Sequence, residues 1–582
     1  MSIPRNEYPR PMLVRENWKN LNGEWDFEID NALCGKERHF FECPSLESKI
    51  VVPFCPESKL SGVNHKDFMN CVWYRKSFEI PGEWRGKRVV LHFGAVDYKT
   101  TVYVNCREVM THVGGYTPFC ADITDFLHER DNFIAVCAED DVRGSNQPTG
   151  KQSDRIDSYG CFYTRTTGIW QTVWLEAYDK AHIENVKYIS NIETGEILAQ
   201  VSVSPECIGG EISFETFFEG EPTGSLKTKI SCNQVNLTLK LSKLHLWDIG
   251  KGNLYDAKLS VSKDGEEKDT VESYFGMRSV ALSKNAFYLN GRRIFSRLAL
   301  DQGYYPDGVY TAPDDSWFVK DIENAVKLGF NGVRLHEKVF EPRYLYHADK
   351  LGFLVWGEHG TWGLDITDPA SLAVVLPEWL DVLERDFSHP SIVCWVPFNE
   401  TWWDELMGKG TKQCAEILSS IYRVTKSVDK TRPCIDTSGD YHVITDIFDV
   451  HDYEQDPKLF YDYYKDAKDG IVHDAVFRQT QNEKQMYRGE PLFMSEYGGI
   501  RWSSNPEGWG YGTAPKTEEE YLERYKGLTD VILDNEAFTG FCYTQLYDVE
   551  QEENGLMTYD REFKFPPEIF FEINSRKAKN ED

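Results

Sequence analysis

The sequence is short of long apolar runs. No stretch approaches the roughly 20 residues that a helix needs to cross a bilayer, so no membrane partner is expected. Its opening, MSIPRNEYPRPML, lacks the basic and apolar segments of a secretory leader. None of the 14 cysteines pair as CxxC, and none cluster with histidine at metal-ligand spacing. They read as reduced, buried small hydrophobes of a cytoplasmic protein. HEKVF at 336–340 lacks the second histidine of a zinc-protease helix. GWGYG at 508–512 is no phosphate loop, because no Lys-Ser/Thr follows, and it reads as a glycine-hinged lid. No metal and no cofactor are expected. Positive charge is also scarce: 64 Lys and Arg stand against 94 Asp and Glu, a net charge of −30. Such a field repels a phosphate backbone, which excludes nucleic acid as a partner.

What the chain has is length and aromatics. At 582 residues it exceeds a single core, so several domains are expected. Its 16 Trp, 31 Tyr and 33 Phe suit stacking on sugar rings, and equally the cores of large β-sandwiches.

Between about 20 and 177, short alternating runs such as GEWDFEI, CVWYRKSFEI and TVYVN recur between turn residues. That pattern predicts a jelly-roll β-sandwich over 1–180. From 181 to 278 it repeats in a hundred-residue unit of immunoglobulin-like size. Beyond that the texture changes. Eight strand candidates, at 296–303, 331–336, 353–358, 392–400, 432–438, 448–453, 491–496 and 538–548, alternate with helix-capable segments. In the first of these segments, Phe318, Ile322, Ala325 and Val326 are expected to line one face. Residues 279–582 are therefore predicted to form a (β/α)₈ barrel.

Two of these strands end on a glutamate. IVCWVPFNE closes on Glu400 and PLFMSE on Glu496, 96 residues later. In a barrel, strand C-termini face the active site, so both acids can converge there. Paired carboxylates suit glycoside hydrolysis: one protonates the leaving oxygen and the other acts at the anomeric centre. A gap near 5 Å gives retention and about 6.5–9.5 Å gives inversion, and sequence does not supply the distance. Glu358, closing FLVWGE, reads instead as a structural carboxylate paired with a base.

HPSIVCWVPFNE with TWW, and MSEYGG downstream, resembles the catalytic barrel of glycoside hydrolase family 2. WKNLNGEWDFEID, YTRTTGIWQTVWLE and FYLNGRRIFSRL extend the likeness over nearly the whole chain. The resemblance implies a retaining exo-β-glycosidase with Glu400 as general acid/base and Glu496 as nucleophile. It implies that Asn399 binds the sugar 2-hydroxyl, that His336 and His451 line the pocket, and that Tyr453 and Arg334 support the nucleophile. Trp402, Trp502 and Trp509 are candidate walls for a ring or aglycone. The partner is a small carbohydrate or glycoside, and a homo-oligomer accords with the family's frequent dimers and tetramers.

Glucuronidases of the family carry Asn-x-Lys after the eighth strand, whereas here Asn554 is followed by Gly555 and Leu556. The missing cation favours a neutral sugar, a β-galactoside first. β-Glucuronide or β-galacturonide and β-mannoside are the alternatives. A non-catalytic carbohydrate-binding protein is the alternative from another class.

Overall fold

The computed structural model describes residues 3–144, 146–401, 414–439, 442–472 and 485–582. Its first unit is a sandwich of two antiparallel sheets. A six-stranded sheet runs in the order Ser48–Val52, Gly23–Ile29, Cys71–Phe78, Asn132–Glu139, Lys99–Val104, Arg107–Val113. A four-stranded sheet is built from Trp18–Asn20, Val173–Tyr178, Arg88–Phe93 and Phe119–Asp122. Inward residues of both, among them Trp25, Tyr74, Leu91, Val136 and Leu175, form one core. A second sandwich of three and four strands follows over residues 183–276. Its alternation is regular: in QVNLTLK, Val235, Leu237 and Leu239 are buried while the residues between them are exposed.

The third unit is the (β/α)₈ barrel. Its strands are β1 (Ser296–Asp301), β2 (Gly332–Leu335), β3 (Leu354–Glu358), β4 (Ile392–Val396), β5 (Phe448–Asp452), β6 (Leu492–Gly498) and β7 (Phe538–Thr544). All pair in parallel, in the order β4-β3-β2-β1-β7-β6-β5. Each is buried on both faces, which is why the sequence shows apolar runs there in place of alternation.

The expected fifth strand, RPCIDTS, is not a regular strand. Among the described residues, two isolated parallel bridges tie it to β4 and the residues just after, Trp395 to Cys434 and Asn399 to Ser438, and it fills the gap between β4 and β5. The side chain of Asp436 explains the break, because it accepts from the backbone of Val443 and Ile444 and bends the segment into a turn.

Helix α1 (Ser316–Lys327) buries Phe318, Ile322 and Ala325, but Val326 points to solvent, 47% exposed. Val326 lies 100° around the helix from Ala325. Its expected place is taken by Asp321, which is buried because Arg561 donates to both its carboxylate oxygens.

The first sandwich does not merely abut the barrel. Tyr116, Tyr163 and Trp170 share one apolar cluster with Tyr304, Tyr305 and Tyr310, which follow β1. The loop at 147–166 is laced to the segment after β3: Thr149 N donates to Trp362 O at 2.7 Å and Gly150 N to Gly360 O at 3.2 Å. Gly150 has φ +56°, and a Cβ there would lie 2.1 Å from Glu337 O. Only glycine permits that approach.

Candidate active site

The site is built where β4, β5 and β6 end. Glu496 is on β6 beside His451 on β5, as partners in the parallel ladder. Glu400 follows β4 with φ +41°, a left-handed conformation that costs a glutamate about 1–2 kcal/mol. Backbone bonds impose it: Ser438 N donates to Phe398 O at 2.8 Å, and Glu400 N to Ser438 O at 2.9 Å. The irregular fifth segment thus aims the first carboxylate.

Both acids are buried, Glu400 at 7% and Glu496 at 4% exposure. His451 lies between them, with Nδ1 2.7 Å from Glu400 Oε1 and Nε2 3.5 Å from Glu496 Oε1. One oxygen of each glutamate and one ring nitrogen all fall within 4.8 Å of one another. Three such ligand atoms are also the donor set that a cation would need.

Arg334 on β2 organises the floor. Its Nη1 donates to Glu496 Oε1 at 2.8 Å, its Nη2 to Asn399 Oδ1 at 2.7 Å and its Nε to Glu358 Oε2 at 2.7 Å. Glu358 is accordingly an ion-paired structural carboxylate. Asn399 uses its oxygen for Arg334, and its Nδ2 donates to no described residue. Tyr453 donates its hydroxyl to Glu496 Oε2 and stacks face to face on Tyr511, centroids 3.4 Å apart.

The electrostatics follow. Burial alone would raise the Glu496 carboxyl, but His451, Arg334 and Lys151 hold it well below the usual carboxylate range. Burial would lower His451, yet the charges of Glu496 and Glu400 outweigh it and raise the imidazole. Burial, with Lys151 and Arg334 nearby, pushes His336 well below its ordinary value, so it is neutral. Its Nδ1 is 2.9 Å from Glu358 Oε1.

The tryptophans divide. Trp402 lies outside the described residues. Trp502 packs on Tyr521 and Phe565, anchoring its loop to the barrel's outer helix layer and not facing the acids. Trp509 is edge-on to Tyr511, next to the site. The GWGYG segment is no free lid. Trp509 N donates to Gln551 O at 2.7 Å, Glu553 N to Trp509 O at 2.9 Å and Tyr511 N to Gly499 O at 2.9 Å.

Comparison with known proteins fits this arrangement. Residues 18–176 match the sugar binding domain of glycosyl hydrolases family 2, 181–278 match a further model described as glycosyl hydrolases family 2, and 280–562 match the family's TIM barrel domain. The chain belongs to glycosyl hydrolase family 2. It is a glycoside hydrolase. A beta-glucuronidase of Streptococcus agalactiae serotype V is 22% identical, the alignment covering 89% of this chain and 88% of that protein. A beta-galactosidase of Thermoanaerobacter pseudethanolicus is 26% identical over 75% of this chain. This chain spans little more than half the length of that and some other family 2 relatives. The solved beta-glucuronidase of Ruminococcus gnavus, in complex with N1-substituted uronic isofagomine, superposes with a TM-score of 0.80. It is 19% identical, covering 98% of this chain and 99% of its own.

Against that family background, sequence reasoning missed several groups at the barrel mouth. Lys151, on the sandwich loop, has its ammonium 3.9 Å from the ring centroid of Trp362. Trp362 in turn donates Nε1–H to Asn399 O at 3.1 Å. Glu552, after β7, accepts from the Tyr163 hydroxyl and from Asn554 Nδ2 at 3.0 Å. The only local signal was a charged residue beside the glycine of a GKQ turn, which has no periodicity to flag it.

Proposed function

We propose that the protein is a retaining exo-β-glycosidase acting on a terminal β-linked hexuronide, a β-glucuronide first. The observation that carries the mechanism is that one oxygen of Glu400 and one of Glu496 lie within 4.8 Å of each other, in keeping with the close spacing of a direct nucleophile. Glu496, ionised through Arg334, His451 and the Tyr453 hydroxyl, attacks the anomeric carbon. Glu400 gives its proton to the departing glycosidic oxygen. A water then enters, Glu400 takes its proton, and the oxygen displaces Glu496 with a second inversion, so the configuration is retained. The unengaged Nδ2 of Asn399 is the donor for the sugar 2-hydroxyl, a contact that strengthens as positive charge develops at the ring.

The sugar departs from the β-galactoside expected from sequence. Relatives covered over most of both chains are named beta-glucuronidase, and the missing Asn-x-Lys argues only about one position. The test is a panel of 4-nitrophenyl β-D-glycosides with the wild type and Glu496→Gln. Turnover led by the glucuronide, lost by at least about 10³-fold in the variant, supports the reading. Fastest turnover of the galactoside removes the uronide assignment, and no turnover of any glycoside points to a binding protein.

A further inference from the structure

We infer that Lys151, carried into the barrel mouth by the first sandwich, is the residue that holds the substrate's carboxylate and so sets sugar choice. This rests on the uronide reading above. Arg334 is fully engaged by Glu358, Glu496 and Asn399. Lys338 donates to the carbonyls of Gly303 and Tyr310 within an aromatic box. Lys151 differs from both. It is only 6% exposed, yet its ammonium makes no hydrogen bond with a described residue and no ion pair within 4.0 Å among them.

The side chain is thus largely buried while its three N–H donors are left without a protein acceptor at the mouth, and an entering carboxylate supplies one. What fixes its place is the Trp362 ring beneath it, a cation–π contact that leaves the N–H donors free. Because the same indole is bonded to the carbonyl of Asn399, the ammonium is tied one ring's width from the peptide that precedes Glu400. The loop has little freedom to swing away, being bonded through Thr149 and Gly150 to residues 360 and 362. Burial disfavours the charge, but the fields of the Glu552, Glu496 and Glu400 carboxylates more than restore it, so the lysine stays cationic. In the segment after β7, Leu556 is fully buried, the Asn554 amide is turned to Glu552, and the two nearby cations are engaged, Arg561 by Asp321 and Lys564 by Asp548. A uronate carboxylate would thus meet its charge-assisted donor from another domain.

The experiment compares wild type, Lys151→Met and Lys151→Gln on 4-nitrophenyl β-D-glucuronide, its C6 methyl ester and 4-nitrophenyl β-D-glucoside, with thermal melting as the check on folding. Should the Met variant not fold, the Gln variant, which keeps a polar side chain of similar reach, gives the same readout. The expected result is a fall of about 30- to 100-fold in kcat/KM on the glucuronide, the scale of one lost hydrogen bond to a charged group. The glucoside should fall far less, by the part of the effect that Lys151 exerts through its charge on Glu496, and the variants should no longer distinguish acid from ester. Equal loss on all three substrates makes Lys151 a counter-ion of the acidic mouth and overturns the inference while the uronide reading stands. A wild type that prefers the glucoside to the glucuronide overturns both.

Discussion

At the scale of single residues, the site is a set of charges that constrain one another. If Glu400 protonates the leaving group, Glu400→Ala should slow an alkyl glycoside by about 10²–10⁴-fold but a nitrophenyl glycoside far less, because nitrophenolate departs with little protonation. Equal loss on both removes Glu400 from that role. His451 gives a pH test. Its imidazole is raised above the ordinary value, so the charge beside Glu496 is present at low pH and lost as pH climbs through the folded value. The kcat/KM gap between wild type and His451→Gln should therefore be widest on the acid side, about 10- to 100-fold, and narrow as pH rises. A gap that is constant with pH would show that the histidine only packs. The acids were legible in the sequence because each ends an apolar run. Lys151 and Glu552 were not, because the contact between a loop at 150 and a loop at 552 is written in tertiary packing and in no local pattern.

At the scale of elements, the irregular fifth segment is the part that sequence misjudged and the site most needs. RPCIDTS has a strand's composition, yet its Asp436 prefers backbone donors in a turn, so a side-chain bond overrode the apolar signal. The turn is clamped by His442, fully buried with Nδ1 2.9 Å from Asp436 Oδ1 and Nε2 3.1 Å from Asp449 Oδ1. Burial opposes its charge, but bonds to Asp436 and Asp449 push the imidazole up to about 10. A raised histidine stabilises the fold fully below its unfolded value, near 6.5, and that stability fades as pH rises through about 10. His442→Leu leaves two buried carboxylates without a cation, which should cost about 3–5 kcal/mol at pH 7. Melting curves at pH 7 and pH 10 check this: the deficit against wild type should shrink at the higher pH, and an unchanged deficit would contradict the charge argument.

At the scale of the whole molecule, the order of sandwich, sandwich and barrel was readable because period-two alternation gives way to βα alternation near 285. How the units join was not, since it depends on buried ions far apart in the chain. Arg15 donates to Glu176 of the first sandwich at 3.0 Å and to Asp269 of the second at 3.1 and 2.8 Å. Arg15→Met should lower the melting midpoint while kcat at 25 °C stays within about twofold, because the clamp is remote from the acids. A kcat loss matching that of an active-site variant would mean that domain placement shapes the site directly. The retaining mechanism as a whole depends on Glu496 bonding to the sugar. The most direct measurement is incubation with 2-deoxy-2-fluoro-β-D-glucuronosyl fluoride, followed by peptide mass spectrometry. One fluoroglycosyl adduct per chain is expected, on the peptide bearing Glu496 and absent in Glu496→Gln. Turnover of an ordinary glucuronide with inverted product and no adduct, or an adduct on another acid, would contradict it.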